Sequence, residues 1–373
     1  MKSPIELYLL EKINEDGNLP FSGFMEIALF HPKYGYYMSD SEILGKQGDF
    51  ITSPVTSSLF GESISNEFSN LDDDESSIME LGGGDGSLAI SLLESLKAKK
   101  NLPKEYIIIE TSKNLINLQK KNIEQRIPDL IDIVRWANDT NNIQINGLII
   151  ANEFFDVLPS DRFKYQNNKV NQLYITNKNN NFSYEWKEGS SVFNSELECS
   201  KNNQNIVFPD GYVSELNLNY RSWVTDLDKC LTSGVMLLID YGYNSREYFL
   251  AERNSGTLVC INNHNVNFEP LIDIGKQDIS TFVNFSHLQN IFSNINLEVC
   301  GFLAQSSFLL NLGILDIFEK KNYAPDEKLI ELNRLKNILL PNTMGEIFKV
   351  LIVSKNLNKE LLATTNFNYT SKL

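Results

Sequence analysis

A doubly wound α/β sheet is the fold that this sequence predicts, and three observations predict it. Apolar runs of strand length alternate with helical patterns from residue 78 onward, which implies parallel strands returning through helical crossovers. The first run, Ile78 to Leu81, breaks into Gly82, Gly84 and Gly86 immediately before a helix. Such a turn brings backbone N–H groups and a helix N-terminus up to a nucleotide-like ligand, because glycine has no Cβ to block the approach. Finally, residues 163 to 187 switch to period-two alternation, which reads as an antiparallel β insertion within the main domain.

The elements follow in order. Ile5, Leu9, Leu10 and Ile13 recur at helical spacing until Asp16-Gly17, and a second apolar helix runs from Ser22 through Phe24, Ile27 and Ala28 until His31-Pro32 stops it. An irregular aromatic stretch with Tyr34, Tyr36 and Tyr37 leads through Gly48 to Pro54 into a third helix, Ser57 to Asn70. Asp72 to Glu75 reads as a solvated linker. Strands are expected over Ile78 to Leu81, Tyr106 to Glu110, Ile131 to Val134, Gly147 to Asn152 and Gly234 to Asp240, with helices around Leu88 to Leu96 and Leu115 to Ile123. Phe163 to Tyr165, Val170 to Ile175 and Phe182 to Trp186 form the meander, separated by asparagine-rich turns that tolerate positive φ. Glu188 to Asn205 is polar and predicts a loop. Leu297 to Leu303 and Ile347 to Ser354 close the pattern as strands, with helices around Phe308 to Phe318 and Leu329 to Leu339 between them. The expected organisation is a helical N-terminal cap over 1–75 and a Rossmann-like domain over 76–162 and 206–355 with a helical insertion at about 304–345. The β subdomain occupies 163–205 and a tail 356–373.

Composition narrows the function. The 373 residues carry a formal charge of −15, which argues against nucleic acid and anionic membranes as partners, since both need a basic field. Cys199, Cys230, Cys260 and Cys300 lie far apart with no CxxC and no neighbouring histidine, so reduced thiols are expected and no metal site. No apolar stretch approaches the roughly 20 residues of a membrane-spanning helix. The N-terminus shows neither a signal nor a transit pattern, so a bacterial-type cytoplasmic location is expected.

The glycine turn alone suits NAD, FAD or adenosyl ligands. Its Gly-x-Gly-x-Gly spacing with Glu80 two residues earlier departs from the dinucleotide fingerprint, and an acid there suits a ligand ammonium while repelling a pyrophosphate. Glu110, ending the second strand, is placed to accept both ribose hydroxyls, which either NAD or S-adenosyl-L-methionine would supply. Trp136, past the third strand, is a candidate to lie beside adenine, though a core or anchoring tryptophan reads equally well. Glu153 and Asp156 follow the fourth strand, where open α/β sheets receive substrates. Carboxylates there can hold a cationic substrate or accept its proton, or simply cap a loop.

Several segments carry a resemblance: Phe24-Met25-Glu26, His31 to Tyr37, Gly48 to Pro54 with Phe60-Gly61-Glu62, the glycine turn, Asn152 to Pro159, Asp240-Tyr241-Gly242, Gly256-Thr257-Leu258, Asp278-Ile279-Ser280 and Met344 to Lys349. In these the chain resembles the MidA family of S-adenosylmethionine-dependent methyltransferases, which includes the mitochondrial complex I assembly methyltransferase. The resemblance implies a class I methyltransferase core with Glu80, Gly82, Gly84, Gly86 and Glu110 around S-adenosyl-L-methionine. It also implies that residues 48–53 fold over the active site, bringing Asp49 and Thr52 near the cofactor. The family's mitochondrial members are linked to symmetric dimethylation of an arginine on a complex I subunit, so a subunit of an NADH-dehydrogenase-like complex is the implied partner, with Glu153 and Asp156 holding and deprotonating its guanidinium. Three positions depart from the family pattern. Gly83 and Asp85 stand where proline and arginine are usual, and Asn284 stands where an aspartate near the presumed cleft is usual. A non-catalytic assembly factor and an NAD-dependent oxidoreductase are the alternatives, and the oligomeric state is open.

Overall fold

The structure, a computed structural model, describes residues 2–39, 53–71, 75–202, 204–262, 264–295 and 297–373. Asp49 and Thr52 lie outside the described residues.

The central sheet is built from β1 (Ser77–Leu81), β2 (Tyr106–Ile109), β3 (Val134–Ala137), β4 (Ile145–Asn152), β5 (Leu231–Tyr243), β6 (Glu298–Ala304) and β7 (Phe348–Lys355). Their spatial order is β3-β2-β1-β4-β5-β7-β6, and only β7 runs antiparallel to its neighbours. Helices cover both faces, so the inner strands read as unbroken apolar runs. Ile78, Ile108, Ile150 and Leu237 point to the face packed by the helices Leu59–Leu71, Ser87–Lys99 and Pro325–Leu339. Met79, Ile107, Ile149 and Leu238 point to the face packed by Tyr220–Cys230 and Phe285–Ser293. All these strands match their sequence-predicted positions except β3. Pro128 starts a 3₁₀ turn, Pro128–Ile133, which delays the strand to Val134.

The meander forms as expected from Asp161–Gln166, Lys169–Lys178 and Asn181–Glu188. Its sheet is larger than expected, because Val213–Leu216 pairs with the first of these strands and Leu19–Pro20 with the second. The region expected to be loop contains the helix Ser191–Ser200, started by the Ser190 side chain, which accepts from the Phe193 N–H. That helix buries Phe193 and Leu197, one turn apart. The expected helix at 308–318 is two, Gln305–Asn311 and Ile314–Lys320, broken where Gly313 takes φ 76°.

The N-terminal helices Pro4–Asp16 and Phe21–Phe30 lay Ile5, Leu9, Phe21 and Phe24 against Leu173 and Ile175 of the meander. The same core takes in Cys260 and Ile279 from a small sheet of Val259–Asn262, Asn265–Asn267 and Asp278–Ser280. This sheet was not legible in the sequence. The cap thus bridges two accessory sheets and holds them beside the C-terminal ends of the central strands. Among the described residues, no helix is long and apolar enough to cross a membrane.

The C-terminal segment is pinned by one buried acid. Glu67, in the helix Leu59–Leu71, accepts from the backbone N–H groups of Leu362 at 3.3 Å and Ala363 at 2.6 Å. Replacing Glu67 by Ala leaves both donors in an apolar setting and is expected to destabilise the fold by about 1–3 kcal/mol. Urea denaturation measures this, and an unchanged midpoint would remove Glu67 from the account.

Candidate active site

The C-terminal ends of β1, β2 and β4 open into a cavity of about 1020 Å³, walled opposite by residues of the N-terminal cap and by Asp278 and Ser280. The glycine turn supplies one side. Gly82, Gly84 and Gly86 take φ of 68°, 54° and 87°, values that side chains strain to adopt. Gly82, Gly83, Gly84 and Asp85 line the cavity, whereas Gly86 starts the helix Ser87–Lys99 and does not. The two departures in this turn have local causes. A Cβ on Gly83 would meet Ile108 Cγ2 at 2.7 Å, so the position is closed to larger residues. Asp85 accepts from the Ser87 N–H at 2.9 Å, two residues along at the start of the next helix.

Glu80 lies in the cavity wall and accepts from the Tyr106 hydroxyl at 2.8 Å. Burial, with the charges of Asp85 and Glu110 added, pushes its carboxyl up to about 8. Glu110 is held by the N–H groups of Thr111 and Ser112, both at 2.9 Å, and by the Gln119 amide at 3.4 Å. Gln119 was not singled out by sequence reasoning. Its amide also donates to the Gly84 carbonyl at 2.9 Å, and its oxygen accepts from the Trp136 indole at 2.8 Å. One glutamine therefore joins the turn, the strand-end acid and the third strand. Trp136 is not beside the cavity. The late start of β3 directs its ring into the packing against the helix Lys113–Arg126, where Lys120 lies 5.1 Å from the ring centre. Asn138 to Asn141 occupy the wall instead.

At the end of β4 the backbone turns sharply. Glu153 takes φ 53°, unusual for a side chain other than asparagine or aspartate, and donates its N–H to the Ile239 carbonyl at 2.9 Å. Its carboxylate accepts from Asn152 at 3.2 Å, and burial together with Asp156 pushes it up to about 8. Asp156 is buried, and burial with the neighbouring Asp240 and Asp278 holds its carboxyl well above the usual range. Asp156 Oδ1 and Asn152 Oδ1 have no hydrogen-bond partner among the described residues. Asp240 fixes this loop from below. Its Oδ2 accepts from the N–H groups of Phe155 at 2.9 Å and Asp156 at 3.2 Å, and its Oδ1 from Tyr241 at 2.9 Å. Asp278 faces the same space and accepts from the Tyr37 hydroxyl at 2.7 Å and from Ser280. The structure thus brings Glu80, Gly82, Gly84, Glu110, Glu153 and Asp156 to one cavity, and adds Asp278 and Tyr37.

Asn284 is elsewhere. It caps the helix Phe285–Ser293, donates to the Ser200 carbonyl at 3.0 Å and accepts from Ser245 at 3.1 Å. The aspartate it replaces in the family pattern would not face the cavity, so no site carboxylate is lost there. His31 holds the turn before the aromatic segment, its Nδ1 accepting from the Tyr34 N–H at 3.2 Å. Glu196, Cys199 and His287 lie close enough to share an ion, but Arg221 already donates to Glu196 at 3.0 Å and approaches the Cys199 sulfur at 3.7 Å. A guanidinium occupies the place of a cation there.

The wall of the cavity carries carboxylates on every side, and no Lys, Arg or His lines it among the described residues. Backbone glycines at a strand-to-helix turn, a preordered acid at the next strand end and a wall of carboxyl groups suit a cationic nucleoside ligand and oppose a pyrophosphate.

Comparison with known proteins agrees. Residues 59–303 match the model of the "Putative S-adenosyl-L-methionine-dependent methyltransferase" family. The chain belongs to this family. It is 25% identical over 379 residues to the mitochondrial protein arginine methyltransferase NDUFAF7 of Mus musculus, a match covering 93% of this chain and 83% of the relative. The Homo sapiens protein of that name is 24% identical, with 93% and 82% covered. A crystal structure from Burkholderia thailandensis with S-adenosyl-homocysteine bound superposes with a TM-score of 0.92 at 26% identity, covering 100% of this chain and 99% of that one. The protein is an S-adenosyl-L-methionine-dependent methyltransferase, not a nicotinamide-dependent oxidoreductase. Gly82 to Gly84, Glu80 and Glu110 line one side of the cavity, and Gln119 bonds to Gly84 and Glu110 from behind.

Gln119→Ala removes the donors to both Gly84 and Glu110. It is expected to weaken binding of S-adenosyl-homocysteine by about tenfold or more, as loss of a hydrogen bond to a charged group does. Isothermal titration calorimetry reads this, and an unchanged Kd would show that Gln119 only packs.

Proposed function

We propose that this methyltransferase modifies the guanidinium of a protein arginine, on a subunit of a respiratory complex of the NADH-dehydrogenase type. The observation that carries this reading is a pair of buried acceptors, Asp156 Oδ1 and Asn152 Oδ1, without partners among the described residues, in a cavity wall whose described residues include carboxylates and no cation. Each buried acceptor left unmade costs about 1–3 kcal/mol, so the arrangement awaits a guest that donates several hydrogen bonds and carries positive charge. A guanidinium does both, with five donors in one plane. The relatives named protein arginine methyltransferase, similar over most of the chain, support the same class.

S-adenosyl-methionine, when bound, supplies an electrophilic methyl group on a sulfonium. The chain's own residues then have three tasks. Glu153, oriented by Asn152 and by its tight backbone turn, holds the guanidinium in plane. Asp156 takes the proton that the nitrogen sheds, and burial beside Asp240 and Asp278 raises its proton affinity. Asp240, bound to three backbone N–H groups, keeps both at fixed separation. Burial of the loop beneath the N-terminal cap excludes water and strengthens each of these interactions.

Both acids must be ionised to act, and both are held above the ordinary carboxyl range. Protonation below that range therefore lowers the rate, and activity rises with pH through about 8, the value to which Glu153 is pushed. Methyl incorporation measured across about pH 6 to about pH 9 is expected to climb through this window. Glu153→Gln and Asp156→Asn are each expected to lower the rate by roughly 10² to 10⁴-fold while S-adenosyl-homocysteine still binds. A flat profile, or full activity in both variants, would exclude these acids from the reaction.

A further inference from the structure

The small sheet of Val259–Asn262, Asn265–Asn267 and Asp278–Ser280 has two unlike faces. Side chains paired across antiparallel strands point the same way, so the register sorts them. Cys260 and Ile279 are paired, and both turn into the core shared with the N-terminal cap. Val259, paired with Ser280, and Ile261, paired with Val266, belong to the opposite face. Val259, Ile261 and Ser280 line the cavity. One face of this sheet therefore begins inside the cavity and ends outside it, at the edge strand Asn265–Asn267. Exposure rises along the way, since Ser280 is buried, Val259 and Ile261 are half-buried and Val266 is 60% exposed.

Beyond Val266 the chain continues with large apolar side chains in solvent, Phe268 at 68% exposure and Ile272 at 50%. Their loop is nevertheless fixed in place. Gln277 is fully buried, its amide donates to the carbonyls of Ile272 at 2.8 Å and Glu269 at 3.1 Å, and its oxygen accepts from the Asn267 amide at 2.9 Å. The Asn267 side chain in turn accepts from the Glu269 N–H at 2.9 Å. A buried polar network that holds an exposed apolar loop points to a surface preorganised for contact. Charge indicates the chemistry of its occupant. Glu269 and Asp273 are exposed among these apolar side chains and outnumber Lys276, so the patch joins apolar area to negative charge, and the cavity wall beside it is acidic too. A segment that is both apolar and basic complements such a surface.

We propose that this face is a docking ramp for the substrate protein's own chain, and that Val266, Phe268 and Ile272 receive the apolar residues flanking the arginine whose side chain enters the cavity. The inference rests on the arginine reading above and adds how the surrounding segment is recognised. A side chain that reaches a buried site leaves its backbone at the mouth, and the flanking residues must cross one of the walls there. This wall passes continuously from half-buried lining to exposed apolar surface. Two strand spacings, about 10 Å, separate the strand of Ser280 from the edge strand, a span that an extended chain covers in about three residues. Recognition therefore falls within about three positions of the arginine.

The test is calorimetric titration of the protein, saturated with S-adenosyl-homocysteine, with two synthetic peptides of equal length and charge. One is acetyl-Gly-Leu-Val-Gly-Arg-Gly-Leu-Val-Gly-amide, and the other has glycine in place of each leucine and valine. The wild-type protein is expected to bind the apolar-flanked peptide more tightly by about tenfold or more, from the apolar area it covers. The double variant Val266→Ser, Phe268→Ser is expected to remove that advantage while affinity for the glycine peptide and for S-adenosyl-homocysteine stays unaltered, because neither residue lines the cavity. Ile272→Ser alone is expected to give a smaller loss in the same direction. All three side chains are exposed, so these substitutions leave the fold in place. Equal affinity of the wild-type protein for the two peptides, or an advantage that persists in both variants, would overturn the ramp while leaving the arginine reading intact. A wild-type protein that binds neither peptide would overturn the arginine reading and the ramp with it.

Discussion

A cluster of buried carboxyl groups, in a cavity lined by no cation among the described residues, is the constraint on which the rest of this structure depends. Asp156, Asp240 and Asp278 are buried beside one another, with the half-buried Glu153 next to them. Bringing carboxylates out of water is costly, and their mutual repulsion adds to the cost. The fold offsets part of this cost by giving Asp240, Asp278 and Glu153 local hydrogen-bond donors. Asp240 is satisfied by backbone N–H groups, Asp278 by Tyr37 and Ser280, and Glu153 by Asn152. Asp156 keeps an unused oxygen. The loop after β4 carries two buried acceptors without a partner among the described residues, Asp156 Oδ1 and Asn152 Oδ1, and the proposed guanidinium docks against them.

The cofactor half follows a related economy of contacts. The glycine turn, the Glu110 carboxylate and the third strand are separate in the chain, and Gln119 joins them from the following helix. Order in the cradle is thus set by a residue that does not line the cavity itself. This explains how Gly83 and Asp85 can depart from the family pattern without loosening the turn. Gly83 is packed against Ile108 and Gln119, and Asp85 accepts from the Ser87 N–H of the following helix.

Most of the central sheet was legible in the sequence because strands buried on both faces carry continuous apolar runs, as Ile78-Met79, Tyr106 to Ile109, Leu148 to Ala151 and Val235 to Ile239 do. The glycine turn and the strand-end acids were legible for the same reason that they are useful, since their chemistry needs particular residues at particular offsets. The helix Ser191–Ser200 was hidden because only Phe193 and Leu197 anchor it in a polar stretch. The small sheet was hidden because its strands of three or four residues have too few alternations to show a period. Trp136 was misplaced by the late start of β3, and Asn284 by reading a family position without its fold. The Tyr37–Asp278 pair joins residues separated by 241 positions, so no local pattern could announce it. Asp240 and Asp278 did stand in segments that carried the resemblance, but a motif without coordinates does not say which carboxylate faces the cavity and which holds a loop.

The central claim is that this acidic cavity exists to hold a guanidinium. Its most direct test is to incubate the protein with cell lysate and S-adenosyl-methionine carrying a labelled methyl group, then hydrolyse the labelled protein and identify the modified amino acid. The account predicts that the label is recovered as methylated arginine. Label recovered as methyl-lysine, or only in small molecules, would contradict it.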